Sequence, residues 1–263
     1  MARPDDHRRP ELGLSLSVLA VTTVVLLPHP ATGLVALILL GIARWSASGG
    51  DAESSAVSLA ALCWATVGAA SVASFGLVWP IPQALGLLVA FATWTAFGRD
   101  QPDWLRAGTV DRTTFWLAAA SVPLTSTALA WFITSGRTDL DTAAEGLVGL
   151  PAWAIPLAGI GFSLANPTVE EILFRGALQT ALTRTLGNVG LSVVLQGIAF
   201  GAIHFNGVPG GPLGMAMAGL WGTVLGIVRH RTGSIRIPWL VHVFANATMF
   251  TVIATMAIND GIL

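Results

Sequence analysis

The sequence predicts an all-α, polytopic transmembrane helix bundle of roughly nine spans, with about eight also compatible, and a cytoplasmic N-terminus. Three observations predict it. Of the 263 residues, 54% are hydrophobic and 10% charged, with a mean hydropathy of +0.72, whereas a soluble domain carries about a quarter charged residues. The apolar residues gather into stretches that approach the ~20 needed to cross a bilayer as a helix. The arginines fall almost entirely on one side of those stretches, as the positive-inside rule requires.

Residues 1–11 form a charged tail, followed by an apolar stretch at 12–27. This stretch reads as a retained first span rather than a signal peptide, because another begins at residue 31 and no small-residue cleavage site leads into soluble sequence. The next cores are 31–44, which is short enough to be tilted, interfacial or half of a hairpin, then 56–77 and 82–97. The remaining cores are 114–134, 152–185, 189–205, 212–228 and 238–258, and the long one at 152–185 leaves room for a break at Asn166-Pro167. With the N-terminus inside, eleven of the 13 arginines lie in cytoplasmic segments, Arg137 alone lies outside, and Arg175 is in the membrane.

The acidic loop 135–150, with Asp139, Asp141 and Glu145, fits the outer face. It divides an N-terminal helical part, 12–145, of unassigned role from a C-terminal core, 146–263. A net charge of −1 gives no electrostatic basis for a nucleic-acid partner. Cys63 is the only cysteine, which excludes an intrachain disulfide and a cysteine metal cluster. Every basic residue is Arg and there is no Tyr, a compositional bias consistent with a bacterial plasma-membrane protein.

Glu170 and Glu171 stand apart from the other acidic residues because they interrupt an apolar run instead of lying in a tail or loop. Ionisable groups at membrane depth are costly and mark functional positions. The C-terminal core adds Arg175, His204, His242 and Asn246 within predicted spans. At 3.6 residues per turn Glu171 and Arg175 are i,i+4 neighbours and can pair, while Glu170 is rotated about 100° away. Gln196, Phe200 and His204 share one helical face, as do His242 and Asn246. Three helices can therefore bring a carboxylate, an imidazole and a His/Asn donor pair to one point, the equipment for activating water and stabilising an oxyanion. Counting about 1.5 Å per residue, Glu170 and His204 lie about 20 Å from the inner face and His242 and Asn246 about 10 to 15 Å, so the site closes only if helices tilt or a turn rises into the bundle.

These residues resemble the CAAX protease and bacteriocin-processing (CPBP, or ABI) family, which includes the Ras-converting CAAX prenyl endopeptidase. The family's motifs read here as Glu170-Glu171-Ile172-Leu173-Phe174-Arg175, Phe200-Gly201-Ala202-Ile203-His204 and His242-Val243-Phe244-Ala245-Asn246, in the family's order. The resemblance implies an intramembrane endopeptidase in which Glu170 and His204 activate water and His242 and Asn246 form the oxyanion site. Glu171, Arg175 and Phe200 are then structural support. It also implies a membrane-embedded or lipidated peptide or protein as substrate, beside the lipid bilayer itself, and leaves the oligomeric state open.

A catalytic zinc takes about three protein ligands and an open position. Glu170, His204 and His242 are the candidates for a metal, but their spacing is not the one-helix His-Glu-x-x-His arrangement, and the expectation is metal-free, glutamate-dependent chemistry with zinc as the lesser alternative. The competing functional expectation is a non-proteolytic transporter or an immunity or regulatory protein that uses the same polar cluster structurally. The unequal polar content of the two halves counts against a transporter built from repeats.

Overall fold

The computed structural model describes residues 103–263, and every regular element among them is helical. After a short 3-10 helix at Asp103–Leu105 comes α1, Arg112–Phe132, which runs into a π-helical turn at Ile133–Arg137. Asp111 caps α1 by accepting a 2.6 Å hydrogen bond from the Thr114 amide. The hydrogen bond from the Thr114 amide holds the Asp111 carboxyl below the usual carboxylate range. Gly136, at φ 72°, ends this rod in a left-handed conformation that only glycine adopts without strain. α2, Leu140–Ala144, and a 3-10 turn at Glu145–Leu147 fill the connection.

α3, Ala154–Glu170, passes without a loop into a π-helical segment, Glu171–Leu178, and then α4, Gln179–Leu186. Gly187 closes α4 in the left-handed region, at φ 62°. α5, Val189–Ile203, α6, Gly211–Thr232, and α7, Arg236–Asn259, complete the chain.

The expected count of roughly nine spans is overturned. Three helices among the described residues are long and apolar enough to cross a membrane: Arg112–Arg137, Gly211–Thr232 and Arg236–Asn259. The two other expected spans in this region fail for different reasons. The apolar run 152–185 is divided among α3, the π segment and α4, of which α3 has 17 residues and α4 has 8. The run 189–205 yields a helix of 15 residues, roughly 22 Å long against a hydrocarbon core of about 30 Å. Hydropathy counts apolar residues and is blind to where a helix is interrupted. The expected spans at 12–27, 31–44, 56–77 and 82–97, the 1–11 tail and Cys63 lie outside the described residues. By length and composition the protein is a multi-span, helical integral membrane protein.

The chain divides into two compact units. The described part of the first comprises 103–106 and Ile172–Gln196. In it Gly176 faces the Trp104 indole so closely that a Cβ would meet its ring carbons at 3.0 Å. The second unit comprises Ala107–Glu171 and Gly197–Leu263. In it α7 packs on α1 and α3, and α6 packs on α1 and α7. Ala118, Leu225 and Val241 form the buried meeting point of α1, α6 and α7, and Ile133, Ala144, Ile253 and Ala257 form another at the opposite end of α7.

The end of α5 is held against α6 through backbone. A Cβ at Gly201 would lie 2.5 Å from the Met215 carbonyl and 2.9 Å from Gly219 Cα, and one at Gly197 would strike the Thr223 hydroxyl. Lipid gives apolar helices little hydrophobic reason to associate, so close approach of small residues supplies the contact. This packing fixes where Phe200 and His204 project.

Candidate active site

Glu170 is the last residue of α3 and Glu171 the first of the π-helical segment. Such widened turns in helices are frequent at functional sites. Both glutamates are buried, at 3% and 0% exposure, and both reach one imidazole on α7. His242 Nδ1 is 2.8 Å from Glu171 Oε1, and His242 Nε2 is 3.3 Å from Glu170 Oε2. Each ring nitrogen of His242 thus faces a carboxylate oxygen. The contact to Glu171 has the length of a charge-assisted hydrogen bond. The longer one leaves Glu170 Oε2 buried without a well-formed hydrogen bond among the described residues.

Asn246 follows His242 by one turn of α7 and is 5% exposed. Its Nδ2 is buried and has no hydrogen-bond partner among the described residues. His204 comes immediately after the last residue of α5, and its Nδ1 lies 2.8 Å from the Phe200 carbonyl oxygen. A carbonyl can only accept, so Nδ1 donates this hydrogen bond.

Phe200, 1% exposed, separates the two imidazoles. Its ring centroid is 4.6 Å from that of His204 and 5.8 Å from that of His242, the latter edge-on at 75°. Gly222 of α6 makes room for it, since a Cβ there would come within 2.9 Å of the Phe200 ring. Phe200, expected as structural support, is thus in ring contact with both histidines.

Phe200, His204, His242 and Asn246 line one cavity of about 180 Å3, and Glu170 and Glu171 stand behind its wall, reached through His242. The structure therefore brings His242 together with both glutamates, and His204 together with His242 and Asn246 around the same space. Closure does not suffer from the difference in depth counted along the sequence, because α3 and α7 pack directly on each other. Arg175 is fully buried within the π-helical segment.

The rest of the wall is not legible in the sequence. α1, a helix of unassigned role by sequence, supplies Ser121, Leu124, Thr125, Ala128 and Leu129, and α6 supplies Met217, Trp221 and Val224. Val208 and Pro209, from the turn after His204, complete one side. Only the face periodicity of α6, with Met217, Ala218, Trp221 and Val224 on one stripe, carried any signal of this in the sequence.

The three metal candidates do not assemble as ligands. Among the described residues no group of three His, Cys, Asp or Glu side chains is disposed to hold a metal ion. Both nitrogens of His242 are directed at carboxylates, so a metal at Nε2 would have to displace Glu170.

Residues 151–248, which span α3 to most of α7 and hold all of these motif residues, match the family described as Type II CAAX prenyl endopeptidase Rce1-like. Residues 151–248 are an Rce1-like CAAX protease domain. No curated protein and no solved structure matches the chain. The Rce1-like domain contains the buried Glu170, Glu171 and His242 cluster, while α1 and Met249, which line the same cavity, lie outside it.

Proposed function

We propose that the protein is an intramembrane endopeptidase that hydrolyses a peptide bond of a membrane-associated or lipidated protein or peptide without a covalent intermediate and without a metal. The observation that carries this reading is the placement of His242: held by Glu171 at 2.8 Å and facing Glu170 at 3.3 Å, it lines a cavity with His204 and with the unpartnered amide of Asn246.

In the proposed reaction Glu170 reaches past His242 to the edge of the cavity and, together with the lone pair on His204 Nε2, activates a water there. Its oxygen adds to the peptide carbonyl carbon, its proton passes to Glu170, and the carbonyl electron pair moves onto oxygen. Asn246 Nδ2 donates to that oxygen, where a hydrogen-bond donor acts on charge that develops only in the transition state, and His242 joins it by turning its Nε2 from Glu170 once Glu170 holds the proton. The tetrahedral intermediate collapses as the C–N bond breaks, and the proton held by Glu170 goes to the leaving amine. Glu171 keeps His242 oriented through Nδ1, as a carboxylate commonly does for a working imidazole.

The apolar surroundings favour this arrangement, because donors in a site that excludes water interact more strongly with a developing oxyanion. The test is purified protein in nanodiscs with a panel of membrane peptides, comparing the wild type with Glu170→Gln and His204→Ala. Loss of cleavage in both variants is expected. Cleavage that survives Glu170→Gln sinks the mechanism, and no cleavage of any peptide by the wild type favours a structural role for the cluster.

A further inference from the structure

Resting on the reading of this cavity as a peptide-hydrolysing site, we infer that Trp221 is a substrate-binding residue whose indole N–H binds a main-chain carbonyl of the peptide beside the one polarised by Asn246. Its Nε1 is buried and has no hydrogen-bond partner among the described residues, the same condition as Asn246 Nδ2, and both residues line the same cavity. An indole N–H can only donate. Buried tryptophans ordinarily find an acceptor for it, because a buried donor left unpaired is costly.

Two other polar groups of the wall have partners of their own. Ser121 donates to the Ala118 carbonyl at 2.7 Å, and His204 Nδ1 donates to the Phe200 carbonyl. The wall is mainly aliphatic and aromatic, and two of its residues, Trp221 and Asn246, carry buried N–H donors that lack acceptors among the described residues. A peptide meets that demand, with apolar side chains for the wall and carbonyl oxygens for the donors. A hydrocarbon meets only the first part.

The position of Trp221 is fixed by packing. It lies against the buried cluster of Ala118, Leu225 and Val241, where α1, α6 and α7 meet. The ring is therefore held where three helices meet, at the cavity wall. That preorganisation lowers the cost of binding.

The experiment uses the full chain in nanodiscs, labelled with 15N in its tryptophan indoles, and two probes. One is N-acetyl-leucyl-leucine methylamide, which has amide carbonyls; the other is isobutylbenzene, of apolar bulk and without acceptors. Addition of the peptide is expected to shift the Trp221 indole N–H resonance downfield, and isobutylbenzene is expected to leave it without that shift. Trp221→Phe is expected to weaken peptide binding about tenfold, the worth of one hydrogen bond, and to leave isobutylbenzene binding unchanged. Trp221→His keeps a ring N–H and is expected to recover part of the loss; it also assigns the resonance if the Phe variant does not fold. Equal peptide affinity in wild type and Trp221→Phe, an unshifted indole signal, or no peptide binding by the wild type overturns the assignment. Failure of the wild type to cleave peptides defeats the proteolytic reading separately, because the resonance shift and the affinity ratio are read without turnover.

Discussion

His242 Nδ1 lies 2.8 Å from Oε1 of Glu171, a contact between side chains 71 residues apart that joins α7 to the point where α3 becomes π-helical. Both side chains are almost wholly buried. A buried ionisable pair is demanding to form and severe to break, since loss of one partner leaves the other without compensation.

Glu171→Ala is therefore expected to destabilise the protein by about 3–5 kcal/mol. The double variant Glu171→Ala with His242→Ala should lose less than the sum of the two single losses, as coupled neighbours do. Thermal unfolding in a fixed detergent or nanodisc checks this, and strict additivity would mean that the contact carries no energy.

Glu170→Gln keeps the shape of the side chain and removes its basicity. Cleavage should fall by about 10²–10⁴-fold, the range of general-base catalysis, with the unfolding midpoint close to that of the wild type. A variant that unfolds at much lower temperature would point to a structural Glu170 instead.

Asn246→Ala removes the unpartnered amide from the cavity wall. If that amide meets the oxyanion, kcat should drop by about 10²–10³-fold with KM little changed, because the interaction strengthens only as charge develops. A rise in KM with kcat intact would assign Asn246 to ground-state binding.

Gly201 and Gly222 test how the site is held in place. Gly201→Ala puts a methyl 2.5 Å from the Met215 carbonyl and Gly222→Ala puts one 2.9 Å from the Phe200 ring. Overpacking of this kind costs about 1–3 kcal/mol. Because Gly222 abuts Phe200, the second variant should also slow cleavage through misplaced histidines, measurable as a lower kcat at temperatures where the protein remains folded.

A chelator should leave cleavage unchanged. Activity abolished by a chelator and restored by zinc would replace the proposed chemistry with a metal-assisted one, in which His242 Nε2 turns from Glu170 to the metal.

The motif residues were legible because their types and spacing are unusual in apolar sequence: adjacent glutamates, and histidines one turn from Phe200 and Asn246. Their partnership was not. Helical spacing relates residues of one helix only and gives no means of seeing that His242, 71 residues from Glu171, stands between both carboxylates. The cavity residues of α1 and Trp221 are not legible for the same reason, since an apolar residue in an apolar helix carries no mark of facing a cavity.

Composition alone determined that the chain is helical and lies in a membrane, since so few charges and such long apolar runs leave backbone hydrogen bonding within helices as the way to cross lipid. It also determined which polar residues matter, because each is costly in that setting. Only the tertiary structure decided how many described helices reach membrane length, since a π-helical interruption and an early helix end leave hydropathy unchanged. It alone decided the site's geometry, because which side chains meet depends on packing between α3, α5, α6 and α7, and there glycine-mediated approach and burial operate between residues far apart in the chain.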